Sequence, residues 1–502
     1  MKNSSEKIIK DLVHDYITLD SFFQKLVDTK HFQRLRFIKQ LTCQYVYPSA
    51  NHTRFEHSLG VYYLSRRYLR VLKKKLISLG VKEGKYDFIL FNLSIASLLH
   101  DVGHAPLSHL GEIYFNAKEI KESLNPECTK LNIDKSIFES HGSYHEIMSC
   151  YIILKYFDEL IIKENTSSCR IDFELICRMI IGARYNSDDK WVENIAIDAL
   201  NSNTIDMDKL DYIIRDSFMT GISVPAIDVS RFFRGLDIEN KKVVIKKQAI
   251  TVVQNIIDAR DCLYLLVYNH HIAVYTDFVF EFYIKHLILL EEDIKNEKTD
   301  KLRPYDYFSC NAIGEKLVTD NDLMEKLKEY FINQHNVSDY TLKLTPQIFE
   351  RKFLKPLWKN LYEFKLFLTN EIQNDNVINE LIEKLCDSKD YLYRSYIATE
   401  IIERLHLRNG DIFIVPRSNK FYINNKNNKF YITVDGNLKD ISNLLPQKKY
   451  NDLYSNVAFY VFGPSSMIEE MKKEFINIVK NGLPPRDKID RKSSKPKWLT
   501  NE

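Results

Sequence analysis

From Ser58 to Leu79 the apolar residues Leu59, Tyr62, Tyr63, Leu69, Leu72 and Leu76 recur close to the spacing of one helical face. Gly80 and Gly84 then break the pattern. The next run, FILFNLSIASLL (88–99), is almost wholly apolar and predicts a buried helix. Between Leu236 and Arg303 there is neither glycine nor proline. Within that stretch VVQNIIDARDCLYLLVYNHHIAVYTDFVFEFYIKHLILL predicts one or two long core helices. Past about residue 304 charged helical segments lead to GDIFIVPRSNKFYINNKNNKFYITVDGN. Its β-branched and aromatic runs around an Asn/Lys-rich turn predict a hairpin. The terminal LPPRDKIDRKSSKPKWL is proline-rich and basic, and reads as a flexible tail. No internal repeat is visible.

Composition narrows the class without naming a chemistry. At 502 residues the chain has room for two or more domains. With 45% hydrophobic and 28% charged residues it reads as an ordinary globular protein, and its few glycines and prolines fit long helices. A formal charge of +3 is too small to argue for nucleic acid or an anionic membrane as the main ligand. No run of about 18 apolar residues exists to span a bilayer. MKNSSEKIIKDLVHD lacks the apolar core of a signal peptide. The eight cysteines are scattered with no C-x-x-C pair, so reduced thiols and a cytoplasmic location are expected.

The chemistry concentrates in SLLHDVGHAPLSH (97–109), which puts three histidines and an aspartate into thirteen positions. A lone histidine is usually a hydrogen-bonded structural residue, and His14, His31 and His335 are read that way. His100 and His104 fall on one helical face if the helix persists, Asp101 sits beside them, and Gly103 and Pro106 allow the chain to swing His109 back. NHTRFEHSLG offers His57 with Arg54 a turn earlier, and TIDMDKLDYIIRDS offers Asp206, Asp208, Asp211 and Asp216. On a helix Asp208, Tyr212, Arg215 and Asp216 share a face, which is either a ligand-lined wall or a solvated surface of ion pairs. Imidazole and carboxylate together suit Zn, Fe, Mn or Ni, and Mg less well.

These residues carry a resemblance. The order His57, His100-Asp101, Asp208 resembles the H…HD…D signature of the HD-domain metal phosphohydrolases. DTKHFQRLRFIKQL, ANHTRFEHSLGVYYL, LLHDVGHAPLSH, HEIMS and IDMDKLDYIIRDS are similar, in collinear order, to segments of the deoxynucleoside triphosphate triphosphohydrolase (dNTPase) branch. That branch includes the catalytic core of the animal sterile-alpha-motif and HD-domain enzymes. The similarity spans roughly residues 7 to 290, with a fainter echo in FLKPLWKNLYEF.

The resemblance implies a mainly α fold: an HD-domain helical-bundle core over 1–300, a smaller helical and α+β region over 301–480, and the tail over 481–502. It implies one divalent ion, of unspecified identity, on His57, His100, Asp101 and Asp208, and a second Mg travelling with the triphosphate. The implied reaction hydrolyses a dNTP to a deoxynucleoside and inorganic triphosphate. His109 would be the general acid, oriented by Glu112 where the family more often has Asp, with His104 and His145 lining the phosphate and Glu146 supporting His145. Arg54 and Lys209 would face the phosphates. Tyr212 and Asp216 would surround the sugar, and Gln40 and Leu41 would exclude a 2′-hydroxyl. Where the animal enzymes carry an arginine toward the phosphates, this chain reads His270-His271, and KQLTCQY lacks the glycines that usually follow.

Lys7, Asp28, Gln33 and Arg36 match residues that bind an activating nucleotide between subunits, although FQRLR also reads as structural, with Arg34 and Arg36 pairing to acids. A homo-oligomer (dimer, tetramer or hexamer) is implied, and bacterial relatives of this kind include phage-defence enzymes that drain nucleotide pools. Two other classes share some of these features: an HD phosphodiesterase acting on an oligonucleotide or a nucleotide monophosphate, and a nucleic-acid-binding protein or nuclease.

Overall fold

The structure is a computed structural model that describes residues 6–164, 170–293, 305–333, 347–386, 392–408, 410–416, 431–434, 437–440 and 459–489. It is mainly α, with small sheets. Two compact units are present. The first gathers Met1–Leu263, Glu291–Glu325 and Tyr422–Pro446; the second gathers Tyr264–Leu290, Lys326–Phe421 and Gln447–Glu502.

The first unit opens with an antiparallel hairpin, β1 (Lys7–Asp11) and β2 (Asp15–Leu19). Its core is α1 (Arg54–Ser78) packed along α2 (Glu83–Leu99). The predicted periodicity is the buried stripe of α1: Leu59, Tyr62, Leu69, Leu72 and Leu76 are all inaccessible. Each such side chain contributes about 1.5–3 kcal/mol on burial. Thr53 and Glu56 form a capping box that starts α1 just before His57. Gly80 follows α1 at φ +88°, whereas Gly84 falls inside the first turn of α2.

Three more helices complete this core: α3 (Tyr144–Ile152), α4 (Phe173–Ile181) and α5 (Trp191–Leu200). Then α6 (Met207–Thr220) starts on Asp206, whose carboxylate accepts from Lys209 N at 2.7 Å, and stops at Gly221 in the left-handed region. After it come β3 (Leu236–Glu239) and β4 (Lys242–Ile245), joined by Asn240-Lys241, and α7 (Ile250–Leu263). α6 packs on α1 and on α7.

In the second unit a π-type turn, Tyr264–Tyr268, precedes the helix His271–Asp293, so the glycine-free stretch yields two helices around a break. Trp358, in the fainter echo, is buried among Phe364, Phe459 and Phe475 and donates to the Phe459 carbonyl at 2.9 Å. The predicted hairpin around the Asn/Lys-rich run is not borne out by its flanks. Phe413–Pro416 pairs with Phe459–Gly463, whereas Tyr431–Val434 pairs with Asn437–Asp440 and with β4. Val434 faces Asn437 across two residues that are Asp-Gly in sequence, a stronger hairpin signal than the Asn/Lys run. The predicted turn itself, in 417–430, and most of the predicted tail, 490–502, lie outside the described residues. Among the described residues no helix is long and apolar enough to cross a membrane.

Candidate metal and phosphate site

His57 sits one turn into α1, His100 and Asp101 follow the last residue of α2, and Asp208 is the second residue of α6. Three distant segments therefore deliver four ligand-type side chains to one place. His57 Nε2 lies 2.9 Å from Asp208 Oδ1 and 3.7 Å from Asp101 Oδ2. His100 Nε2 lies 3.4 Å from Asp101 Oδ1 and 3.7 Å from Asp208 Oδ1. Such separations suit donors sharing one ion with bonds of about 2.0–2.2 Å.

The tautomers fit a cation as well. His57 Nδ1 is bound to Asp211 Oδ2 at 2.8 Å and His100 Nδ1 to the Ser97 carbonyl at 3.0 Å, which leaves both Nε2 lone pairs facing inward. His100 Nε2 is buried with no hydrogen-bond partner. Together His57, His100 and Asp208 form a group that can hold a metal ion. Without one, burial pulls His57 down but Asp208 and Asp211 outweigh it and raise it to about 10. Burial pushes Asp101 up, yet Arg54, His100 and His104 bring it well below the usual carboxylate range.

Around the ligands runs a buried layer whose role the motifs do not indicate. Asp211 also accepts from His14 Nε2 (2.6 Å) and Arg215 Nε (2.9 Å), and Arg215 Nη1 reaches Asp11 Oδ2 at 2.8 Å. Gly60 lies against this carboxylate, and a Cβ there would overlap Asp211 Oδ1. Asp211 is three residues after Asp208, a spacing visible in the sequence; His14, nearly two hundred residues away, gives no such signal. His14 and His31 do hold structural bonds, the latter to the Gly314 carbonyl at 2.8 Å, while His335 lies outside the described residues.

Beside the ligand cluster stands a second group of imidazoles. The helix does not persist to His104: α2 ends at Leu99, so His100 and His104 do not share a helical face. Gly103 turns the chain close against the Ser149 backbone, and its N–H donates to Ser149 Oγ at 2.9 Å. Arg34 then holds the His104 carbonyl at 2.8 Å and the Val318 carbonyl at 2.7 Å; it pairs with carbonyls, not with the expected acids. Leu107 and Ser108 both take positive φ (59° and 58°), a strained pair whose Leu107 N–H is anchored on Asp320. The His104 ring stacks on His145 at 4.1 Å, and both lie 5.1 Å from His109. Glu112 bridges the outer two, with Oε2 3.1 Å from His109 Nδ1 and Oε1 2.9 Å from His145 Nδ1. The longer glutamate arm thus reaches both rings.

Their protonation diverges. Burial lowers His145, but Glu112 reverses this and leaves it raised. Burial, aided by Arg54 and His145, lowers His109 to about 4 despite the bond to Glu112. His109 is 58% exposed at its side chain, so water softens that fall. Burial and Arg54 hold His104 far below its ordinary value. The two rings are thus shifted in opposite directions, His145 up and the expected acid His109 down.

The cavity between the two groups is about 150 Å³ and is lined by Gln40, Arg54, His109, His145, Asp208 and Tyr212, among others. Arg54 Nη1 donates to Asp101 Oδ2 at 2.7 Å and its Nε to Ser108 Oγ at 2.9 Å. Gln40 Oε1 is buried without a partner. Three expected substrate residues are not in the wall. Lys209 Nζ turns to Asp206 (2.5 Å) and the Ser202 carbonyl (2.8 Å); Asp216 holds His52 Nε2 at 2.8 Å; Leu41 is half-buried elsewhere. Arg215, expected on the same face as Asp208, turns instead to Asp11 and Asp211. His270 and His271 belong to the second unit, stack at 4.2 Å, and are both lowered by burial. Within the first unit Arg260 on α7 is a buried cation whose charge reaches Lys209; nothing in its surroundings in the sequence marks it.

The four residues matched to an activating-nucleotide site form one surface patch. Lys7 Nζ pairs with Asp28 at 3.3 Å, Gln33 Nε2 donates to the Val27 carbonyl at 2.8 Å, and Arg36 Nε donates to Gln33 Oε1 at 2.8 Å.

This geometry is that of an HD domain, and the HD-domain family model matches residues 54–200. The matched region is similar to dNTPases among its relatives. The chain is 32% identical to the deoxynucleoside triphosphate triphosphohydrolase SAMHD1 of Bos taurus over 53% of its length and 45% of that protein. It is 29% identical to the SAMHD1 homolog of Dictyostelium discoideum over 55% of its own length and 48% of the relative's, so it spans about half of these curated relatives. A phosphohydrolase structure from Bacteroides thetaiotaomicron shares the fold, with a TM-score of 0.62 at 20% identity, covering 92% of this chain and 100% of that one.

Proposed function

We propose that this chain hydrolyses deoxynucleoside triphosphates, breaking the bond between the α-phosphate and the 5′-oxygen to release a deoxynucleoside and inorganic triphosphate. The observation that carries the reading is the meeting of His57, His100, Asp101 and Asp208 opposite the Glu112-linked histidines, in a core similar to triphosphohydrolases so named. His57, His100, Asp101 and Asp208 would hold a divalent ion, which when bound supplies polarisation of a phosphoryl oxygen and acidification of water. Arg54 brings positive charge to the phosphate side of the cavity. The leaving 5′-oxygen takes its proton from the His109–Glu112–His145 group, in which Glu112 favours the charged form of His145. Gln40 and Tyr212 line the part of the wall left for the sugar.

At about 150 Å³ the cavity is smaller than the ~300–1,000 Å³ of usual ligand clefts. Substrate entry therefore requires the cavity to widen, and Lys209 and Asp216 would reach a substrate only by leaving their internal partners. Exposed Ile8, Leu12, Tyr16 and Phe37 adjoin the Lys7–Arg36 patch in sequence and supply apolar surface for self-association, which supports a nucleotide-responsive homo-oligomer. The test is product analysis: purified protein with Mn or Mg and each dNTP should yield inorganic triphosphate and deoxynucleoside. Pyrophosphate with a monophosphate would refute the choice of bond. Cleaved oligonucleotide beside intact dNTPs would replace this reading with a phosphodiesterase or nuclease.

A further inference from the structure

A second cavity of the first unit, larger than the one beside the histidines, measures about 700 Å³, within the range that encloses small organic ligands. Its cations are Arg184, Lys241 and Lys242, and its aromatic walls include Trp191 and Tyr431. Asn240 and Lys241 form the two-residue link between β3 and β4, both at positive φ (49° and 61°), the mirror-image turn that matches strand twist. That turn fixes Lys241 and Lys242 in succession at the rim, with Lys242 Nζ 5.0 Å from the centre of the Tyr431 ring. Arg184 is paired with Asp198 at 2.6 Å, so the two lysines carry the uncompensated charge among these groups.

A cationic rim over aromatic and aliphatic walls selects an anion that carries a planar ring. The cavity also shares a wall with the catalytic one, because Asn201 lines both. Asn201 Nδ2 donates to Glu146 Oε1 at 2.8 Å, and Glu146 caps the helix that carries His145. The next residue, Ser202, accepts from Lys209 Nζ. Movement of the 201–206 segment would therefore be felt at both His145 and Lys209.

We infer that this cavity is a second ligand site, taking a phosphate-bearing planar ligand of mononucleotide size and coupled to the catalytic cavity through Asn201. The inference rests on the cavity and not on the bond cleaved next door. The binding arm of the test uses full-length Asp208→Ala protein, with nucleoside monophosphates as probes and adenosine and inorganic phosphate as half-ligand controls, followed by calorimetry. A monophosphate should bind, each half-ligand should bind less tightly, and the pair K241E/K242E should weaken binding about tenfold or more by inverting the contact to phosphate. Trp191→Ala should do the same from the ring side, with thermal unfolding monitored to confirm folding. Tyr212→Ala, in the catalytic wall, should leave that binding unchanged. Binding of no monophosphate, or binding indifferent to K241E/K242E and Trp191→Ala, overturns the site. In the turnover arm, a saturating monophosphate should change KM or kcat of the wild-type chain but not of K241E/K242E; equal response in both overturns the coupling. The binding arm reads no hydrolysis, so it decides the site even if the proposed substrate is wrong.

Discussion

The two imidazole groups of the first unit stand side by side yet are held in opposite ways. In the ligand group each histidine has its outer nitrogen tied, His57 to Asp211 and His100 to a main-chain carbonyl, and the inner nitrogens have no freedom to change role. In the other group a single carboxylate, Glu112, serves two rings, and His104 has a buried Nδ1 with no partner. The first arrangement fixes lone pairs on one point, which is what an ion requires. The second sets two rings on one carboxylate and shifts them in opposite directions, an arrangement suited to acid–base work. Side chains of one chemical type thus differ in what they can do through their outer partners.

The strongest way to break that comparison is to remove a ligand. Asp208→Ala should abolish both metal retention and turnover while the helical circular dichroism spectrum stays native; metal content by elemental analysis and triphosphate release are the readouts. Persistence of full activity would mean that the first group does not hold the ion. Next in size is Gly60→Ala. A methyl at that position overlaps Asp211, so the variant should lose about 1–3 kcal/mol of stability in denaturant titration. It should also bind metal more weakly, since the carboxylate it displaces orients His57. Asp211→Asn isolates the orienting effect without added bulk. It should cost about 10–100-fold in metal affinity with little change in the KM for substrate, whereas a merely structural aspartate would leave metal affinity alone.

How much of this the sequence discloses follows from the range of each signal. Helical periodicity is local, and α1 follows it closely; α2 is legible only as an apolar run, and it begins before that run, with Gly84 inside it. The ligands are legible because His100-Asp101 and the flanking words of His57 and Asp208 are short and dense. Asp211 and Arg215 are visible as an i, i+4 pair, but their use is not, because it depends on His14 and Asp11 arriving from the first hairpin. The β3–β4 hairpin is hidden for a different reason: its turn is Asn-Lys, with no glycine to announce positive φ. Just past the end of α2 Gly103 lies close against α3, a tertiary contact, and the i, i+4 reading of His100 and His104 carries the helix about one turn too far. Arg260 and the turned-away Lys209 are decided by packing of α6 on α7, which no window of sequence contains.

The finest test concerns the proton. Glu112 lies far below the usual carboxylate range, because His145 and His109 outweigh its burial, so it stays charged throughout the working range. His145 is raised, so the pair's contribution to stability is complete below the ordinary histidine value and fades as pH climbs through the raised one. Glu112→Gln removes the influence that lifts His145 against its burial, and both His145 and His109 should then titrate lower. The alkaline limb of kcat/KM against pH should move toward acid, and the stability of the variant should lose its decline over the same interval. At the pH optimum the rate should fall by about tenfold or less, since the rings remain and only their charging shifts. If the alkaline limb stays in place, the proton does not rest on the Glu112-linked pair, and the second group would need another task than acid–base work.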